Sequence, residues 1–310
     1  MSIELAWLRT WLGVVDVGGF ARAAEHLHLS QPRVSAHVAN LERTLGHVLI
    51  ERRVRPLTLT DAGYSLLPKA RAAVAAADEL VTWNPNNDVL SGLVKVGSVA
   101  SVSSEFLPNI LSEFASRYEE VELRVLDGDV ELLESALVER RVAVALRPLR
   151  PEPKDPQVLE VRPLWRERFV VVLPDGHPLL ATKVVRVKDL AAFRVLTVGN
   201  PLSDSLLGYE TATYLKAQAP DVAVGAVLHQ PTTLAAMVRA GLGVGIVNLL
   251  AARMIKRPGL VIRSIDRQDL YRDVGIWWHA ERPLSRADQV FIRTVLDAQR
   301  PRGTSLVPRR

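Results

Sequence analysis

The chain has 310 residues, 48% hydrophobic and 24% charged, enough for two or three globular units at roughly 100–200 residues each. It has no cysteine, which excludes disulfides, thiolate metal sites and thiol redox chemistry, and it has no uncharged apolar run of about 18 residues, which excludes a membrane helix. The net charge of +5 does not by itself mark a nucleic-acid binder, because Arg302, Arg309 and Arg310 in an acid-free tail supply more than half of it. Within that tail Leu306-Val307-Pro308-Arg309 resembles a protease-site remnant, so residues 301–310 are set aside from the fold. The first ten residues carry Glu4 and no basic start before an apolar core, so they do not read as an export signal, and a cytoplasmic protein is expected.

Leu5, Leu8, Leu12 and Val15 recur at helical spacing and form one apolar face, which Gly18-Gly19 ends. Phe20 opens a short alanine-rich helix to Leu27, and His28-Leu29-Ser30 makes a turn. Ser30 is placed to cap a third helix, where Pro32 is tolerated because first-turn N–H groups have no intrahelical partner. Val34, Val38 and Leu41 repeat at i, i+4 and i+7 and should face a core. The other side carries Gln31, Arg33, Ser35, Ala36, His37 and Asn40. A helix so divided can lie in a major groove, where Gln and Arg bond base edges and Ser reaches bases or phosphates. Taken singly, each of these residues reads equally well as solvated. Two β-prone runs, Val48–Arg53 and Leu57–Thr60, flank the basic turn Val54-Arg55-Pro56 and predict a hairpin, or wing. Residues 30–60 hold Arg33, Arg43, Arg52, Arg53 and Arg55 against Glu42 and Glu51, although residues 1–90 are neutral as a whole. Positive charge is thus concentrated where phosphates would be met.

Residues 5–80 resemble the N-terminal region of LysR-type transcriptional regulators. The matching segments are Gly19–Glu25, Leu29–Ser35, Leu41-Glu42, Leu45-Gly46, Leu49–Arg52 and Leu59–Gly63, in that order and spacing. Two positions depart from the pattern: Ile50 stands where Phe is usual, and Ala36-His37 where a longer basic or amide side chain is common. The resemblance implies a winged helix-turn-helix on double-stranded DNA. Ser30, Gln31, Pro32, Arg33, Ser35 and His37 would sit at the groove, with Arg52, Arg53 and Arg55 on the backbone. It also implies a homodimer or homotetramer, with RNA polymerase as a compatible further partner.

Thr60 can cap a helix that begins at Asp61, an acid favourable at the positive end of the helix dipole. Leu66, Ala70, Ala73, Ala77 and Leu80 then recur as a heptad seam, with Pro68 inside the run expected to kink it. The seam is expected to dimerise, because a winged helix normally reads two half-sites through a two-fold dimer. The alternative is a helix packed on its own domain. Asn84–Asp88 ends the helix and marks a hinge.

From Leu93 strand and helix patterns alternate. Strands are predicted at Leu93–Ser98, Val121–Leu126 and Val142–Leu146, separated by helices Phe106–Tyr118 and Val130–Arg140. A second run has strands Phe169–Leu173, Val195–Val198, Val222–Leu228 and Val244–Val247, with helices near Ser205–Gln218 and at Thr232–Ala240. Asp273–Trp278 and a final helix, Ser285–Gln299, return the chain to the first lobe. This order makes the fold class α/β with parallel sheets, behind an all-α N-terminal head. The resemblance implies a two-lobed, type II periplasmic-binding-protein-like sensor for a small-molecule effector. The expected domains are residues 1–60 for DNA binding, 61–83 for the linker helix, 84–90 for the hinge and 91–300 for the sensor. Lobe I would span 91–163 and 265–300, and lobe II 164–264, with exchanges near Pro163-Leu164 and Ser264-Ile265.

Ligands of such sheets bind beyond strand carboxyl ends. Ser98–Ser104, Gly199–Ser203, Thr232-Thr233 and Arg147 occupy those places, and the hydroxyls and free N–H groups suit a carboxylate or another small anion. Ser98, Ser101, Arg147, Asn200 and Thr232 are carried over from the family as effector contacts. Each also reads as a cap or a surface ion pair. Gly241–Gly245 follows a helix and enters a strand, the wrong order for phosphate cradling. The seven histidines form no metal-ligand pair, Trp277-Trp278 reads as core, and neither a nucleophile elbow nor a catalytic carboxylate pair is present. No cofactor and no enzymatic activity are expected. A solute-binding module and an α/β enzyme remain the competing readings.

Overall fold

The computed structural model describes residues 2–51, 57–82, 89–200, 211, 215, 220–267, 269–281 and 283–308. The chain divides into a unit of Met1–Asp88 with Val138–Arg141 and a unit built from Val89–Leu137 and Val142–Arg310.

In the first unit, α1 (Leu5–Val17) ends at Gly18, whose φ of 68° is the left-handed conformation that lets its N–H reach the carbonyls of Val14 and Val15. Next come α2 (Phe20–His26) and α3 (Gln31–Leu45). Val34, Val38 and Leu41 are fully buried in a shared core with Trp11, Val14, Leu49 and Ile50. Ile50 therefore fills the place where the family pattern has an aromatic ring. The expected cap at Ser30 does not form: its backbone is extended, but its side chain makes no capping bond. Strands β1 (Ile50–Glu51) and β2 (Thr58–Leu59) pair antiparallel as the base of the wing, whose turn at 52–56 lies outside the described residues.

Helix α4 (Asp61–Thr82) begins as expected, with Thr60 Oγ1 accepting from the Gly63 N–H at 3.1 Å. A Cβ at Gly63 would lie 2.3 Å from the Leu49 carbonyl oxygen, so only glycine allows this approach. The heptad seam does not stay on one kind of surface. Ala70 is buried in the unit's own core beside Leu67, and Leu66 packs partly against it. Ala73 and Leu80 are exposed, and Ala77 is half-buried. A period of 3.5 residues cannot say which partner a face meets, and here the first turns of α4 meet α1.

The second unit follows two βαβαβ runs. In the first lobe, β3 (Gly92–Ser98) is parallel to both β4 (Val121–Asp127) and β5 (Val144–Pro148). Helices α5 (Ala100–Glu105), α6 (Leu107–Arg117) and α7 (Val130–Val138) connect them. In the second lobe β8 (Val195–Val198) is parallel to β9 (Val224–Leu228) and to β10 (Val244–Asn248). Helix α8 (Pro231–Arg239) precedes β10 and α9 (Leu249–Met254) follows it. The helix expected near Ser205–Gln218 lies largely outside the described residues. At the turn into β10, a Cβ on Gly243 would meet the Arg194 carbonyl oxygen at 2.3 Å, so this glycine-rich stretch serves a tight helix-to-strand turn.

Two long strands join the lobes. β6 (Leu159–Pro174) pairs with β12 (Tyr271–His279) up to Arg168, then from Phe169 onward with β10 and β11 (Leu260–Ile265), which also pairs with the short β7 (Val184–Val185). The exchange therefore falls a few residues later than Pro163-Leu164. Strand β11, not anticipated, carries Ser264-Ile265 within the second lobe. Both crossover strands run antiparallel to their neighbours, so each sheet is mixed and not all-parallel. Along β6, Val170 and Val172 join one core and Val171 and Leu173 another, the alternation of a strand covered on both faces. Helix α10 (Arg286–Asp297) starts with a capping box between Ser285 and Asp288 and closes the first lobe. The tail set aside above is part of this unit: Pro301 is buried, and Ser305 exchanges two backbone bonds with Arg166.

Candidate nucleic-acid interface and effector cavity

The side of α3 away from its core carries Gln31, Pro32 and Arg33, all exposed, and Ser35, half-buried; Ser30 just before it is exposed as well. His37 lies at the border of that side and is tied inward. Its Nδ1 is 2.8 Å from Thr10 Oγ1, which also lies 2.8 Å from the Ala6 carbonyl oxygen. A carbonyl only accepts, so the single hydroxyl proton goes to Ala6 and His37 Nδ1 must donate to Thr10. His37 thus anchors α3 to α1 through one ring nitrogen and turns only Nε2 outward. Arg52, Arg53 and Arg55 lie outside the described residues.

In the second unit, a cavity of about 530 Å³ opens between the lobes. The carboxyl ends of six strands reach it: Val99-Ala100 after β3, Asp127 on β4, Pro148 on β5, Thr197-Val198 on β8, His229 after β9 and Asn248 on β10. This convergence is what the topology of parallel α/β lobes produces. Phe169 and Arg272, from the two crossover strands, complete its lining.

A buried charged network lies beside this cavity. Glu167 on β6 is 1% exposed and accepts from Arg272 Nε at 2.7 Å, Asn248 Nδ2 at 3.0 Å and the Leu250 N–H at 3.0 Å. Arg272 Nη2 donates to Ser101 Oγ at 2.7 Å. One carboxylate thereby links both crossover strands to helix α9 of the second lobe, and its arginine reaches α5 of the first. Nearby, Arg166 forms a bidentate pair with Asp273 and stacks 3.4 Å over the Tyr271 ring. The Asp273 bonds push its guanidinium pKa above the ordinary value.

Of the five expected effector contacts, the structure brings Ser101 to the cavity. Ser98 is fully buried and donates to the Val99 carbonyl. Arg147 is fully buried, 4.3 Å over the Trp277 ring, with Nη1 donating to the Pro151 carbonyl. Asn200 bonds Glu131 at 3.0 Å, and Thr232 lines a separate recess of about 30 Å³. Reasoning from strand ends pointed to loops that line the cavity, at Ser101, Ser103 and Ser104 and at Gly199. It could not tell which side chain of each loop turns inward, and it missed Arg272, Glu167 and Asn248. Only Asn248 carried a local signal, an amide ending the apolar strand β10; Glu167 and Arg272 sit among other charged residues of β6 and β12 and do not stand out. Among the described residues no group of three or more acids and histidines is placed to hold a metal ion, and no helix is long and apolar enough to cross a membrane.

The family pattern for bacterial regulatory helix-turn-helix proteins of the lysR family matches residues 5–64, and that for the LysR substrate binding domain matches residues 87–300. The chain belongs to the LysR family. This LysR-family member is a DNA-binding transcriptional regulator with an effector-binding domain. It is 31% identical over 292 residues to a probable hydrogen peroxide-inducible genes activator from Mycobacterium avium, covering 87% of this chain and 92% of that one. It is 28% identical over 263 residues to the transcriptional activator LysR of Escherichia coli, covering 84% and 83%. In fold it is similar to full-length OxyR from Pseudomonas aeruginosa, with a TM-score of 0.73, 23% identity and coverage of 96% and 99%. It is similar also to full-length CbnR in complex with its target DNA, with a TM-score of 0.66, 21% identity and coverage of 94% and 98%.

Proposed function

We propose that the chain controls transcription from the cytoplasm as a homodimer or homotetramer, by binding rather than by turnover. The polar side of α3 enters the major groove: Gln31 and Arg33 meet base edges, Ser30, Pro32 and Ser35 line the approach, and His37 fixes the helix angle. Arg52, Arg53 and Arg55 hold phosphates. Ala73, Ala77 and Leu80, on the later turns of α4, meet a second copy, with Leu66 at its edge. A small molecule binds between the lobes and shifts the population of DNA-competent arrangements. The observation that carries this reading is the convergence of six strand ends on one cavity in a chain that also offers a helix with an apolar back and a polar front.

Relatives named for hydrogen peroxide do not transfer a thiol mechanism to this chain, which has no cysteine. Its signal is read by non-covalent recognition. Fluorescence anisotropy with DNA flanking the gene tests the proposal at moderate salt. Specific binding by the folded full chain is expected. Binding of the ligand alone, with DNA affinity no better than for random sequence, would leave a solute-binding module instead.

A further inference from the structure

We infer that the cavity selects a small dipolar molecule, with a carboxylate at its floor and an ammonium group at its rim, as an amino acid has. This deepens the effector reading above and rests on it.

The floor is set by Arg272 and Ser101. Arg272 is nine-tenths buried, and Glu167 and Ser101 take its Nε and Nη2. Its hydrogen bonds to described residues run through Nε and Nη2, which leaves Nη1 open on a residue that lines the cavity. Ser101 Oγ accepts from Arg272, so its own proton remains to be donated, and no acceptor for it occurs among the described residues. Two open donors, one cationic and one neutral, therefore stand side by side in a low-dielectric place. A carboxylate, with two oxygens and several lone pairs, satisfies both.

The rim has the opposite sign. Asp127 and Asp129 both line the cavity. Asp127 Oδ1 is held by Ser103, two positions beyond Ser101 on α5, so floor and rim are both built on that helix. Asp129 caps α7 by accepting from the Leu132 N–H at 2.8 Å, and its other oxygen lies 3.9 Å from His229 Nδ1. Across the rim, Arg150 is countered by Glu152 at 3.5 Å. A dicarboxylate would set its second charge against these aspartates. A simple monocarboxylate would leave them without a counter-charge.

The test is isothermal titration of the full-length protein with a panel of standard amino acids. The controls are benzoate, succinate and putrescine, which carry one end, two acidic ends or two basic ends. At least one amino acid is expected to bind about tenfold or more tightly than any control. In Asp127→Asn combined with Asp129→Asn, that advantage over its deaminated acid should vanish. Ser101→Ala should weaken amino acid and deaminated acid alike. Equal binding of the deaminated acid by the native protein, tighter binding of succinate or putrescine, or no amino-acid binding at millimolar concentration would each overturn the inference. DNA anisotropy on the same samples separates this failure from failure of the regulator reading: ligand selectivity without DNA binding would sink only the latter.

Discussion

The two units build their sites in opposite ways. The winged-helix unit carries the side proposed to bind on one continuous helix, with buried and polar positions alternating through Gln31–Leu45. The sensor unit assembles its cavity from segments more than 100 residues apart, such as Ser101 and Arg272. The first kind of site is written in local periodicity. The second exists only after the crossover strands are aligned. The chemistry differs too: the helix presents solvated polar groups over an apolar anchor, whereas the sensor buries a charged pair whose remaining donors face the cavity.

That contrast gives an order to what mutations should do. The largest effect is expected at Glu167→Ala, which strands the Arg272 guanidinium, the Asn248 amide and the Leu250 N–H. Breaking a buried pair of this kind costs about 3–5 kcal/mol, read by chemical denaturation. Replacing both Glu167 and Arg272 by Met should recover the part of the loss due to the stranded guanidinium, while the Asn248 amide and the Leu250 N–H stay without their acceptor; no recovery would show that the pair is not the coupled unit described here. In the other unit, Leu41→Ala empties the core behind the recognition helix, with a cost of about 2–5 kcal/mol, and should abolish DNA binding through unfolding of that unit.

Gln31→Ala should leave stability unchanged and lower discrimination at one operator position by about 1–3 kcal/mol, as measured on a randomised operator library. Arg52→Ala, by contrast, should weaken all sequences together and reduce the salt dependence of binding. Identical losses in the two variants would erase the division between reading and gripping. The smallest effect concerns His177. Burial lowers its pKa below the ordinary 6.5, and its neutral Nδ1 accepts from the Leu179 N–H at the start of a 3-10 helix, Pro178–Ala181. The unfolded chain therefore binds the proton more readily, and stability is lost as pH falls below about 6.5. His177→Asn should flatten that part of the pH–stability curve.

Much of the fold was legible because it rests on short-range signals. Gly18, Thr60 and the Val34–Val38–Leu41 stripe all act within a few residues of themselves. The failures share one physical cause. Ala70 matched a heptad seam, but its partner was a helix 50 or more residues earlier in the chain. Ser98 and Arg147 stood at strand ends, yet a strand turns successive side chains to opposite sides, and these two turned into the core. Arg272 and Glu167 were hidden because each is conspicuous only beside the other. Ser305 was discounted for the look of its neighbours, although its backbone completes the edge at Arg166.

The central claim is that the polar side of α3 reads duplex DNA while the cavity between the lobes holds the signal. Its most direct test is a sequence-resolved binding measurement on the full chain, native and Gln31→Ala, against one randomised operator library. The account predicts a defined site for the native protein and a relaxed preference, confined to one base pair in each half-site, for the variant. A native protein that recovers no sequence, or a variant that recovers the same one unchanged, would contradict it.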